Sequence, residues 1–203
     1  MLYKRGFICS VLVMLLCVML SVPALAADSD NAAKEAAKAV KERTEIEQLS
    51  EQALERLYER VPSAQWVIDN SYAYATLSNT GMKLGIFGSA HGRGVAINNQ
   101  TGERVYMRMS EASAGLGLGI KEYDLIFVIA DKDAWDSFTK DNWKVGGSAD
   151  AAITDGKEGD SIEGAVVVRK GVWVYQMTKK GLALEATIKG TNIYPDKKLN
   201  MNI

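Results

Sequence analysis

Glycine divides this chain more sharply than any other residue. Of its 18 glycines, 17 fall between Gly81 and Gly190, and the stretch from Ala27 to Thr80 has none. Glycine is costly inside a helix but serves positive-φ turns and close backbone approaches in sheets. Helices should therefore come first and a turn-rich β core after them. Strands do not alternate with helices along the chain, which excludes a doubly wound parallel sheet.

In the glycine-free part, Ile46, Leu49, Ala53, Leu57 and Val61 fall on one helical face, joined by Leu54 and Tyr58. That helix should stop near Val61, because Pro62 disfavours a helical residue before it. Proline suits a first helical turn, so residues 63–70 form a second short helix. Residues 27–45 lack an apolar stripe and read as a helical or disordered lead-in. Beyond Ser71, strands are expected at 72–77, 94–97, 104–109, 116–120, 125–129, 165–169, 172–177 and 182–189. Residues 98–102, Asn-Asn-Gln-Thr-Gly, make a hairpin loop. One helix, 132–142, interrupts the strands behind the N-cap Asp131. The expected fold class is α+β, mainly β: N-terminal helices packed on a curved antiparallel glycine-rich sheet or small β-barrel, with one helix inserted near 131–142.

The first 26 residues read as an export signal. Lys4 and Arg5 precede an apolar stretch from Phe7 to Val22, and Ala24 and Ala26 supply a small-residue cleavage site after Ala26. Pro23 and these small residues favour cleavage over an uncleaved anchor. Both cysteines, Cys9 and Cys17, lie in this segment, behind Ile8 and Leu16 rather than the small residue that lipidation needs. The expected mature chain has no disulfide, thiol nucleophile or thiolate metal site. The expected location is the periplasm, with residues 46–203 as a single domain.

Charge excludes one class and suggests another. Net charge is −1, and −3 once Lys4 and Arg5 are removed, which argues against nucleic acid as a partner. Residues 27–163 carry 15 basic and 23 acidic side chains, whereas 164–203 carry 7 and 2. A basic tail of this kind suits anionic headgroups or an acidic partner.

Catalytic and metal motifs test poorly. The lone histidine, His91, sits in the turn-like run Gly88-Ser89-Ala90-His91-Gly92-Arg93-Gly94, without the geometry of a nucleophile elbow. A hydrolase using His91 and carboxylates is the least favoured reading. Gly115, Gly117 and Gly119 lead into another strand rather than a helix, so they are not a nucleotide loop; with Ser113 they leave one strand face bare, for curvature or close approach. Asp131, Asp133 and Asp136 lack the calcium-loop pattern and read as charges at a helix start. No metal or cofactor is expected. Trp173, Tyr175 and Met177 share one face of their strand, Val172, Val174 and Gln176 the other, and either could be core.

The run from Tyr106 to Gly119 (YMRMSEASAGLGLG), the 131–138 helix followed by Trp143-Lys144-Val145-Gly146, and Gly171-Val172-Trp173-Val174-Tyr175 followed by 180–185 resemble the SYLF domain family. The resemblance spans roughly residues 57–194. It implies a mainly β lipid-binding module, with phosphoinositide and actin binding described for eukaryotic members. For an exported chain the implied ligand is an anionic phospholipid. The expected function is non-enzymatic binding of anionic phospholipid at the periplasmic membrane face. Charge, not the resemblance, nominates Arg169, Lys170, Lys179, Lys180, Lys189 and Arg93 for phosphate contact. The rival is an envelope scaffold that binds another protein through the 46–61 helix or an open sheet edge.

Overall fold

The computed structural model describes residues 23–145, 162–178, 181–183 and 191–201, with 23–30, 80–88, 112–121, 145 and 181–183 as backbone alone. The chain divides into two compact units, residues 1–42 and 43–203. The elements in order are α1 (Pro23–Arg60), α2 (Ser63–Asn70), β1 (Ala73–Asn98), β2 (Arg104–Ile129), α3 (Lys132–Lys140), β3 (Trp143–Val145), β4 (Val166–Arg169), β5 (Val172–Thr178), β6 (Gly181–Ala183) and β7 (Thr191–Pro195). The strands of the second unit form one antiparallel sheet in the order β3-β7-β2-β5-β4, with β1 paired to β2 and β6 to β5. The α+β, mainly β expectation holds.

The strand plan is simpler than expected. Of the expected strands, 72–77 (from Ala73 on) and 94–97 belong to the two ends of one 26-residue strand, and 104–109, 116–120 and 125–129 to another. The turn-like run around His91 is also strand. Glycines read as chain breaks lie inside the ladder instead, where a one-residue register shift occurs between Gly85 and Phe87, opposite Gly115 and Leu116. The strands β3 and β7 carry no expected counterpart. Of the strand expected at 182–189, only 182–183 lie within the described residues, in β6.

Both long strands fold back on themselves. Twenty-six straight residues at about 3.3 Å each would span roughly 85 Å, yet the Asn99 N–H donates to Tyr72 O, 3.0 Å away. Along β1 a Cβ on Gly94 would stand 1.8 Å from Thr76 O and 2.8 Å from Leu77 Cα. Only a residue without a side chain lets the two arms meet there. The tight turn joining β1 to β2 is the expected hairpin loop. Asn98 Oδ1 accepts from the Gln100 and Thr101 N–H groups (2.9 and 3.1 Å), and Gly102 has φ +74°.

Each sheet face is covered. One buries Leu77, Met107, Met109, Phe127 and Ile193 with Trp135 and Phe138 of α3 and with Trp143. The other buries Ile126, Val128, Trp173, Tyr175 and Met177 under Leu57, Val61, Ala64 and Ile68 of the N-terminal helices. Both faces of β5 are therefore core, which explains its unbroken apolar run. Each large apolar side chain buried this way contributes about 1.5–3 kcal/mol. Leu54, Leu57, Tyr58 and Val61 of the α1 stripe are engaged in this packing.

Local signals place α3 and α2. Asp131 caps α3, its carboxylate accepting from the Ala134 N–H at 2.8 Å, and Asp136 ties Lys132 and Lys140 on the exposed face. The short helix α2 follows Pro62 over the expected residues.

Candidate functional site

β7 runs into a turn built around one buried acid. Asp196 is 4% exposed. Its carboxylate accepts from the N–H groups of Lys198 (2.9 Å) and Leu199 (3.2 Å) and from the Arg108 guanidinium. Three donors on one carboxylate hold the chain in a turn and leave Lys197 and Lys198 exposed. Asn200 locks the turn to β2 by extending the ladder with a side chain. Its Nδ2 donates to Tyr106 O and its Oδ1 accepts from the Tyr106 N–H, both at 2.8 Å. Arg43 of α1 adds donations to Leu199 O (3.0 and 2.6 Å) and Met201 O (3.1 Å), and stands 5.6 Å from the Tyr106 ring centre. Burial, and then the hydrogen bond to Glu47, push the Tyr106 hydroxyl up to about 12.

This turn, β7 and the end of α3 border an open cleft of about 870 Å³. Arg108, Lys140, Lys197 and Lys198 line it against Asp141 and Asp196, with Asn142, Asn192 and Tyr194 between them. Asp196 engages Arg108, and Asp136 engages Lys140 at 3.0 Å. Hydrogen bonds from Lys132 first and Lys140 second hold the Asp136 carboxyl below its ordinary value, so that tie persists well into acid. The surplus positive potential thus rests on Lys197 and Lys198. Phosphate oxygens suit such a cleft: ammonium groups attract the charge, and Asn and Tyr side chains can donate hydrogen bonds.

Of the residues nominated from charge, Arg93, Arg169 and Lys170 lie within the described residues. Arg169 is half-buried, its guanidinium 4.2 Å from the ring centre of Trp143. Arg93 pairs with Glu45 across 3.2 Å. Lys170 is exposed in the turn between β4 and β5, beside Gly171 at φ +74°. Lys179, Lys180 and Lys189 lie outside the described residues. Sequence reasoning missed Arg108 and Lys140 because they belong to the acidic part of the chain. It counted Lys197 and Lys198 in the basic tail without singling them out.

His91 is exposed, with Nδ1 2.8 Å from the carbonyl of its neighbour Ala90, a local contact rather than a base–nucleophile pair. Among the described residues, no group of three or more His, Cys, Asp or Glu side chains could hold a metal ion. Among them, too, no helix is long and apolar enough to cross a membrane.

A family model described as "Las17-binding protein actin regulator" (Ysc84, the SYLF domain) matches residues 110–203. Those residues belong to the SYLF family. The match takes in most of β2, α3 and every later strand, and hence most of the cleft. The chain is also 33% identical over 157 residues to beta cell expansion factor A of Aeromonas veronii, covering 77% of this chain and 58% of that protein. The chain thus spans little more than half the length of this relative. The SYLF resemblance read from the sequence is borne out.

Proposed function

We propose that this SYLF chain is an exported, non-enzymatic module that binds anionic phospholipid headgroups at the periplasmic face of a membrane. The observation that carries this reading is the cleft beside β7, where two exposed lysines and two tethered cations surround donors suited to phosphate oxygens. Membership of a lipid- and actin-binding domain family supports it. Lys170 stays a candidate for a peripheral phosphate contact. Replacing Lys197 and Lys198 with glutamate should remove salt-sensitive binding to anionic vesicles and leave the fold intact, because both side chains are exposed. Undiminished binding by the double variant contradicts the assignment to this cleft.

A second reading has one observation in its favour. Trp66 on α2 is 71% exposed, and an exposed tryptophan is a typical anchor for a protein partner. The family description names a binder of another protein and an actin regulator, and the Aeromonas relative is named for beta cell expansion. In this reading the chain is an interaction scaffold. A partner captured in a salt-insensitive manner, and lost on Trp66→Ala, would favour it.

A further inference from the structure

The cleft beside β7 has two cationic ends. One is the turn after β7, with Lys197 and Lys198 exposed. The other is Lys144 of β3, just beyond the cleft's lining. Trp143 and its register partner Ile193 are buried in the core, so Lys144 and its partner Asn192 stand on the opposite face, where Asn192 lines the cleft. Lys144 is exposed, and among the described residues no carboxylate pairs with it. From Asn192 to Asp196, where the turn begins, the chain takes four steps along and just past β7, about 13 Å in extended form.

Between the two ends the charges are matched. Asp196 engages Arg108, and Asp136 engages Lys140. That leaves Lys144, Lys197 and Lys198 against Asp141, a local surplus of two positive charges. A single phosphate, bound at the 2.7–2.9 Å or so of a charge-assisted hydrogen bond, engages one end and leaves the other ammonium unneutralised. Two singly charged phosphodiesters joined by a short linker match both the surplus and the span. The volume of about 870 Å³ lies toward the upper part of the range for ligand clefts, roughly 300–1,000 Å³. Tyr194, between the ends, offers its hydroxyl to a polar linker. The cleft is open to solvent, so a headgroup can enter it while the acyl chains stay in the bilayer. Resting on the reading of this cleft as an anionic headgroup site, we infer that it takes a phospholipid whose headgroup carries two phosphates, as in cardiolipin. Lys197 and Lys198 hold one phosphate and Lys144 the other.

The test is flotation of the purified protein with phosphatidylcholine vesicles that carry either cardiolipin or phosphatidylglycerol. Cardiolipin is used at half the molar fraction, so that the surface charge is equal. The inference predicts binding about fivefold tighter to the cardiolipin vesicles, the effect of one further lysine at an anionic surface. Lys144→Ala should erase that preference and, because the side chain is exposed, leave the circular dichroism spectrum unchanged. Equal affinity at equal charge, or a preference that survives Lys144→Ala, would overturn the inference and leave the anionic-headgroup reading standing. Binding to neither vesicle type would overturn both. Soluble pyrophosphate and inorganic phosphate separate a lipid from a free ligand. Neither should displace the protein from cardiolipin vesicles at a concentration equal to that of the lipid phosphate; displacement by pyrophosphate would overturn the assignment to a lipid.

Discussion

The Tyr123 hydroxyl donates to the carboxylate of Glu111, twelve residues earlier on the same strand. Twelve extended residues would separate the two by about 40 Å, far beyond the combined reach of the side chains. The bond therefore exists only because β2 curls over, and it closes the curl from the inside. Both residues are buried, Glu111 at 8% exposure. Burial first, and then the hydrogen bond to Glu111, push the Tyr123 hydroxyl far above its ordinary range.

Removing that hydroxyl should be expensive. Tyr123→Phe leaves the Glu111 carboxylate buried without its donor, and should lower stability by about 3 kcal/mol. Glu111→Gln keeps an acceptor for Tyr123 and should cost less than half as much. Urea denaturation of the two variants measures both values; equal costs would refute the pairing.

Two glycines should behave differently under the same change. Gly94→Ala drives a methyl group against Thr76 O and Leu77 Cα, in backbone that cannot yield without opening the curl. We expect a loss of more than about 3 kcal/mol, or no folded protein. Gly102→Ala meets no atom within 4 Å and bears only the strain of φ +74°, about 1 kcal/mol. Thermal melts followed by circular dichroism compare them.

Arg43→Ala should loosen the end of the chain without unfolding the sheet. It removes three donations to Leu199 and Met201 and the stack on Tyr106. Hydrogen exchange at the Lys198 and Leu199 amides should quicken by roughly tenfold or more, while amides of β5 stay protected.

Alkaline pH should destabilise the protein over a defined window. Burial, as the first cause in each case, raises Tyr58, Tyr106 and Tyr175 to about 12, from 10.0 in the unfolded chain. The unfolded form then loses these protons first. The stability they confer is complete below pH 10 and is lost as pH rises from 10 to 12. Tyrosinate absorbance and near-ultraviolet circular dichroism should change together in that window. Tyrosine ionisation complete by pH 10.5, with the fold intact, would contradict the burial of these groups.

What could be read from the sequence was local. The hairpin loop at Asn98, the cap at Asp131 and the helix after Pro62 each depend on residues a few positions apart, and each stands where expected. The length of β1 and β2 was not legible, because Gly92 and Gly94 look like turns until Ser78 and Thr76, far away in sequence, are brought against them. Five short strands were the natural reading of two long, curled ones. The cleft was hidden for a similar reason. Arg108 and Lys140 sit among acidic neighbours in sequence, and only β7 and its turn bring them to Lys197 and Lys198.

The proposed function meets its most direct test in flotation of the purified protein with liposomes across a salt series. Phosphatidylcholine vesicles with and without phosphatidylglycerol are the two arms. The account predicts binding only to vesicles that contain phosphatidylglycerol, weakening steadily as salt screens the exposed lysines. Equal binding to both vesicle types, or binding to neither, would contradict it.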